Sequence, residues 1–221
     1  MSTAVKKTMT PEHSMPEADT EKLLLERLKN SKTDEDYFRW LLFVVGFYRG
    51  INRLETAKEV LEQYIKQNEN SEHKAHGHLT LGQIATDEQR FEAALVHFAA
   101  ALDLSPKREK VIYVLENNIG YCLNLLGRYV DGEQHCRRAI EINWTRASGY
   151  RNLGVSLQGQ GQVVSAAWAF VEAVKADILD GRARALLEKL LAENPSMVMQ
   201  CPWLAEGLSP DPSTAPEVGL V

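Results

Sequence analysis

The sequence has few cysteines, no excess of basic charge and no long apolar run. Three cysteines, Cys122, Cys136 and Cys201, form no C-x-x-C pair, and an odd number fits a reducing compartment better than a disulfide framework. We therefore expect a cytoplasmic protein. Lys and Arg number 25 against 30 Asp and Glu, giving a net charge of −5, so no basic footprint argues for nucleic-acid binding. Residues 40–48 form the most apolar stretch, and a membrane span needs about 20 residues.

The sequence also lacks the common motifs of catalysis. We find no P-loop, no G-x-S-x-G, no H-E-x-x-H and no Rossmann fingerprint, and residues 1–14 lack the apolar core of a secretory signal peptide. We therefore predict neither an enzyme nor a bound cofactor. Four histidines, at positions 73, 76, 78 and 97, leave a metal site open as an alternative. His76 and His78 point about 200° apart on a helix, which favours packing histidines and no metal.

A pattern of small residues recurs along the chain. Gly82, Gly120 and Gly154 each follow Leu or Ile, and the last two are 34 residues apart. Small side chains at such positions let two helices approach closely, and we expect larger side chains four residues beyond the second small residue to fill the space between neighbouring repeats. The second small residues and these larger residues are Ala94 and Phe98, Gly132 and Cys136, and Ala166 and Phe170.

This pattern resembles the tetratricopeptide repeat, a 34-residue helix–turn–helix unit with the signature W-x2-L-G-x2-Y … A-x3-F … P. The resemblance implies an all-α fold, a right-handed superhelix of stacked antiparallel helix pairs (a TPR-like α-solenoid). Gly127 and Gly161 fall in the expected turns, where glycine can take positive φ. The step from Gly82 to Gly120 is 38 residues, so we expect an insertion within residues 105–110.

The resemblance also predicts how the chain is organised. A degenerate repeat precedes the three clear copies, and the Leu-rich segment after them is suited to cap the stack. The apolar segment at 197–204 either packs on this cap or occupies the groove as an internal ligand. The predicted parts are a disordered tail at 1–18, a helical domain at 19–193 with repeats at 38–71, 75–108, 113–146 and 147–180 and a capping helix at 182–193, and a Pro-rich tail at 194–221.

In proteins of this family the first helix of each repeat lines a concave groove. The predicted groove positions of this chain contain amides and Arg but no acid, so we expect an extended peptide, either acidic or ending in a free carboxylate. Asn118 and Asn152 occupy the same position in successive repeats and could hold a peptide backbone as a ladder, or Asn could simply be frequent there. The predicted groove residues are His76, Gln83, Asn117, Asn118, Tyr121, Asn124, Arg151, Asn152 and Gln158.

The sequence therefore predicts a non-enzymatic adaptor or scaffold that binds an extended segment of a partner protein. The alternative is an assembly or secretion chaperone that masks an apolar segment of its partner. That role would use apolar groove positions in place of the amides, namely Leu42, Phe43, Leu79 and Val114. Arg128, Arg137 and Arg138 form a small basic patch that we interpret as a solvated outer face.

Overall fold

The structure is a computed structural model that describes residues 16–204. Residues 1–15 and 205–221 lie outside the described residues, and with them most of the predicted N-terminal tail and the end of the C-terminal one. Within 16–204 the chain forms eleven α-helices and no strand, as the predicted all-α class requires. None of the helices in this described part is both long and apolar enough to cross a membrane.

The chain divides into two compact units after Gln67. The first unit contains α1 (Glu17–Lys29), α2 (Asp34–Gly50) and α3 (Leu54–Gln67). The second unit contains α4 (Ser71–Asp87), α5 (Phe91–Asp103), α6 (Glu109–Leu125), α7 (Tyr129–Ile142), α8 (Ala147–Gly159), α9 (Val163–Ala176), α10 (Gly181–Glu193) and α11 (Met197–Gln200).

In the first unit, α2 packs against both α1 and α3. Thr33 caps α2 by accepting a hydrogen bond from the Asp36 backbone N–H at 3.1 Å, because the first N–H groups of a helix have no partner within the helix. The Tyr48 hydroxyl donates to Glu21 at 2.8 Å and so ties α2 to α1. Helix α1 begins at Glu17, which lies inside the segment 1–18 that the sequence predicts to be a tail.

In the second unit, the recurring glycines lie where paired helices approach most closely. A Cβ on Gly82 would lie 2.3 Å from the Phe98 ring, and one on Gly154 would lie 2.4 Å from the Phe170 ring. The large side chain of the second helix therefore lies directly over the glycine of its own pair. The sequence analysis placed these side chains only between neighbouring repeats, which was incomplete. Phe98 also joins Leu115 of the following pair in one buried cluster.

The four turns within helix pairs share one backbone conformation. Gly127 and Gly161 have φ values of 74° and 76°, which confirms the predicted turn glycines. Asn52 and Gln89 take φ of 60° at the corresponding places, although side chains with a Cβ are strained there. After each of these residues a backbone N–H returns to the preceding helix, as from Arg90 to Ala85 at 2.8 Å, so the turn closes the helix end in the same way with and without glycine.

The extra residues of the longer repeats form helix. Helices α4 and α6 each have 17 residues, whereas α8 has 13. The connection before α6, residues 104–108, is only one residue longer than the connection before α8, residues 143–146. The predicted insertion within 105–110 was therefore misplaced, because most of the added length gives α6 an additional N-terminal turn.

The segment after α10 packs on the end of the stack. Met197, Cys201 and Leu204 are buried in the same cluster as Leu187 and Leu190 of α10. Of the two interpretations that the sequence left open for residues 197–204, the structure shows packing against this helix and not an internal ligand in the groove.

Candidate functional site

The second unit contains an open cavity of about 1070 Å³. It runs across the first helices of successive pairs, from the end of α4 over α6 and α8 to the start of α10, and it includes the first residue of α7. Its size lies at the upper end of the range of about 300–1,000 Å³ for ligand pockets. The lining residues are Thr86, Asp87, Asn117, Tyr121, Asn124, Leu125, Tyr129, Arg151, Asn152, Val155, Arg182, Ala185 and Leu186.

The cavity brings together five of the nine predicted groove residues, which are Asn117, Tyr121, Asn124, Arg151 and Asn152. These five lie on α6 and α8, where the two repeats are separated by the full 34-residue period. The register that places the glycines therefore also places these side chains on a common surface.

Four predicted groove residues, His76, Gln83, Asn118 and Gln158, do not line this cavity. All four are half-buried elsewhere on the second unit. Burial lowers the pKa of His76, and the positive charges of Arg108 and Lys110 lower it further. Asn118 accepts a 3.5 Å hydrogen bond from the Asn117 carboxamide. Assigning these residues to the same groove was therefore wrong for this cavity, because identical repeat positions do not face one hollow when the helices differ in length.

The apolar wall of the cavity was largely missed by the sequence analysis. Tyr121 and Leu125 of α6 are 41% and 47% exposed, and Tyr129 packs against Gly159, where a Cβ would lie 2.4 Å from its ring. Ala185 and Leu186 follow Arg151 and Asn152 by one period of 34 residues. Extending the repeat register into α10 would have found these two residues.

Hydrogen bonds between amides join α6 to α8 behind the cavity. The Asn152 carboxamide donates to the Asn117 side chain at 3.1 Å, and the Asn124 carboxamide donates to the Asn152 backbone carbonyl at 2.8 Å. Ser156 donates to the Asn124 side chain at 2.7 Å. Asn124, Asn152 and Ser156 are buried, so these bonds satisfy polar groups that burial would otherwise leave at a cost. The carboxamide N–H of Asn152 thus serves the neighbouring repeat, contrary to a ladder that reaches out to a peptide.

The charges of the cavity also differ from the sequence expectation. Arg151 forms an ion pair with Asp180, and the two side chains are only 15% and 7% exposed. Asp180 also caps α10 by accepting from the Arg182 backbone N–H at 3.1 Å. The positive charge of Arg151 is therefore balanced within the protein. Arg182 carries an 83% exposed side chain, and the lining includes the acidic residue Asp87.

The predicted basic patch on α7 is neutralised by neighbouring acids. Arg128 pairs with Asp131 and Arg137 with Glu133, both at 2.8 Å. Arg138 donates to the buried Glu116 at 3.1 Å. Such pairs leave little positive potential to attract a polyanion.

Glu116 is a buried acid between α6 and α7. Burial alone would raise its pKa, but hydrogen bonds from His135 and Arg138 outweigh that effect and hold the pKa below the ordinary value. The His135 ring nitrogen lies 2.6 Å from the Glu116 carboxylate. Because all three side chains are engaged with one another, we assign this cluster to packing and not to catalysis.

The histidines show no metal-binding arrangement. The rings of His78 and His97 have centroids 5.8 Å apart. Among residues 16–204, no group of three His, Cys, Asp or Glu side chains is arranged to hold a metal ion.

No family model matches this chain. An uncharacterized TPR repeat-containing protein of Arabidopsis thaliana is 32% identical over 105 residues, which cover 44% of this chain and 13% of that protein. The Hsp70-Hsp90 organizing protein of Triticum aestivum is 32% identical over 96 residues, which cover 43% of this chain and 16% of that protein. The alignments thus span less than a fifth of either relative's length.

Solved structures share the fold along most of the chain. BtubC from P. vanneervenii has a TM-score of 0.68 at 12% identity, covering 94% of this chain and 99% of that one. YrrB, described as a TPR protein with an unusual peptide-binding site, has a TM-score of 0.59 at 17% identity, covering 89% of this chain and 95% of that one. Together with the 34-residue register and the glycines at each helix pair, these similarities show that the chain is a tetratricopeptide repeat protein.

Proposed function

We propose that the second unit is a protein-interaction module that binds an extended segment of a partner protein in the cavity between α4 and α10. The observation that carries the proposal is the lining itself. It joins exposed apolar side chains, Tyr121 and Leu125, to polar side chains along one continuous surface. Binding sites combine an apolar surface with a few polar groups that fix orientation, and a non-catalytic adaptor needs nothing more.

The amides behind the cavity support this role. Because Asn124 and Asn152 hold α6 and α8 together through buried hydrogen bonds, the wall is formed before a partner arrives. A preformed surface loses less conformational entropy on binding than a mobile one. Two solved relatives have printed descriptions of the same kind, YrrB with its peptide-binding site and the first TPR of Spaghetti (RPAP3) bound to an HSP90 peptide.

The chaperone alternative has less support in the structure. It requires a row of accessible apolar residues, yet Leu79 is buried at 4% exposure, and Leu42 and Val114 are half-buried. Phe43 is exposed at 55% but belongs to the first unit. We therefore favour a groove that reads a short segment over a surface that masks a long apolar one.

A peptide selection tests the proposal. We would select a phage-displayed library of random peptides against the purified chain and measure the affinity of the selected peptides by fluorescence anisotropy. Tyr121→Ala and Leu125→Ser remove exposed wall side chains. Each should weaken binding roughly 10-fold or more, since buried aromatic and apolar anchors dominate such contacts.

Matched controls separate the cavity from the rest of the surface. Tyr37 is 39% exposed and Leu25 is 42% exposed, both in the first unit. Tyr37→Ala and Leu25→Ser should leave the affinity within about 2-fold of the original. If the control variants weaken binding as much as the wall variants, the cavity is not the binding site. The cytoplasmic location is part of the proposal, and fractionation of cells that express a tagged chain tests it.

A further inference from the structure

The two ends of the cavity carry opposite charge. Asp87 is the last residue of α4, and Arg182 is the second residue of α10. Both line the cavity, at the two helices that bound it. Between them Arg151 is neutralised by Asp180, so the middle of the groove contributes no uncompensated charge from this pair.

The helix dipoles act in the same direction as these side chains. The C-terminal end of a helix carries a partial negative charge and the N-terminal end a partial positive one. Asp87 lies at the C-terminal end of α4, where its carboxylate adds to the negative end. Arg182 lies at the N-terminal end of α10, where it adds to the positive end, and its side chain is 83% exposed. Each end of the groove thus has one sign from two sources.

The distance between these ends suits a short extended segment. Neighbouring packed helices are separated by about 8–10 Å, so three steps from α4 to α10 span roughly 24–30 Å. An extended chain covers about 3.3–3.6 Å per residue. A segment of roughly seven to nine residues therefore reaches from Asp87 to Arg182, and its central residues lie over the apolar wall formed by Tyr121, Leu125 and Val155.

We propose that the groove recognises a bipolar segment, with a basic residue over Asp87, an apolar centre over α6 and α8, and an acidic residue over Arg182. This inference rests on the proposed function and adds the charge pattern of the partner. It replaces the acidic or C-terminal peptide that the sequence alone suggested, because Arg151 is already paired within the protein and the lining includes an acid.

Three phage-displayed libraries test the charge pattern. All share a randomised apolar centre of five residues. They differ in the flanking pairs, which are Lys pairs at both ends, Glu pairs at both ends, or Lys at one end and Glu at the other in both orders. The mixed library should yield the tightest peptides, by about 5-fold per matched end, since an exposed charge pair contributes a factor of roughly 2–5 and its reversal a similar loss.

Charge reversal in the protein should switch the preference. Asp87→Lys should favour peptides with Glu at both ends, and Arg182→Glu should favour peptides with Lys at both ends. Glu92→Lys and Lys189→Glu make the same changes in charge at residues that do not line the cavity, and they should leave the order of affinities unchanged. Raising the salt concentration should reduce the differences, because exposed charges are screened beyond a few ångströms at 1 M ionic strength.

The outcomes distinguish the two proposals. If peptides bind in a manner that depends on Tyr121 and Leu125 but all three libraries bind equally, the bipolar inference is overturned and the peptide-binding proposal stands. If the charge preference survives both reversal variants, the ends are read elsewhere and the inference also fails. If no selected peptide depends on Tyr121, the proposed function itself fails.

Discussion

Gly120 offers a direct test of the helix packing on which the groove depends. A Cβ added at this position would lie 2.5 Å from the Cys136 Sγ, 3.2 Å from the Gly132 carbonyl oxygen and 3.4 Å from the Cys136 backbone nitrogen. The first distance is far inside van der Waals contact, whereas the other two need shifts of only a few tenths of an ångström. Gly120→Ala therefore clashes mainly with one removable sulfur atom, and Cys136→Ala should relieve the clash.

The magnitudes follow from two opposing effects. Replacing glycine with alanine inside a helix stabilises by about 0.5–1 kcal/mol, and overpacking costs about 1–3 kcal/mol. We expect Gly120→Ala to lower the free energy of unfolding by about 1–2 kcal/mol. Cys136→Ala alone should cost about 1 kcal/mol for the lost sulfur. The double variant should lie close to the original protein, a coupling of about 1–3 kcal/mol.

Urea unfolding followed by circular dichroism measures all four proteins of this cycle. Gly46→Ala is the control, because a Cβ there would meet nothing within 4 Å, so it should stabilise by about 0.5–1 kcal/mol. Additive effects of the two substitutions, or a Gly120→Ala variant as stable as Gly46→Ala, would refute the close approach of α6 and α7.

Three further predictions address the turns, the buried acid and the thiols. Gln89→Gly should raise the free energy of unfolding by about 0.5–1 kcal/mol in urea titrations, because Gln89 has φ of 60°, and a loss would contradict the turn geometry. Glu116→Gln should be less stable than the original protein at neutral pH, and since the folded pKa of Glu116 lies below its ordinary value of 4.5, the difference should shrink as pH falls below 4.5; a constant gap across that range would count against it. Burial raises the pKa of Cys136 to about 12, so a thiol reagent at pH 8 should label it only on unfolding, whereas Cys201 should react earlier as residues 197–204 open, and equal rates would show that they open together.

The repeat register was predictable from the sequence because it depends on local spacing. Gly82, Gly120 and Gly154 recur with Leu or Ile before them, and the structure places each against the second helix of its pair. The turn glycines follow from the same spacing, since only positive φ closes so short a turn without strain. Fold class and helix pairing therefore needed no knowledge of distant contacts.

The composition of the site depended on contacts that spacing does not specify. Asn152 and Arg151 look alike as groove residues in sequence, yet Asn152 is bound to Asn117 and Arg151 to Asp180. Asp180 follows Arg151 by 29 residues, which matches no repeat position. Tyr129 was missed because it opens a second helix, and only the short distance to Gly159 brings it to the cavity.

The packing of Met197 and Leu204 on α10 affects how this array can associate. Helix pairs in a solenoid stack by apolar faces, and an uncovered end presents such a face to any similar partner. Here the apolar side of α10 already holds residues of the same chain. A further helix pair, or a second copy of the molecule, could join that end only after the segment detached, so a few buried side chains limit growth of the stack in this direction.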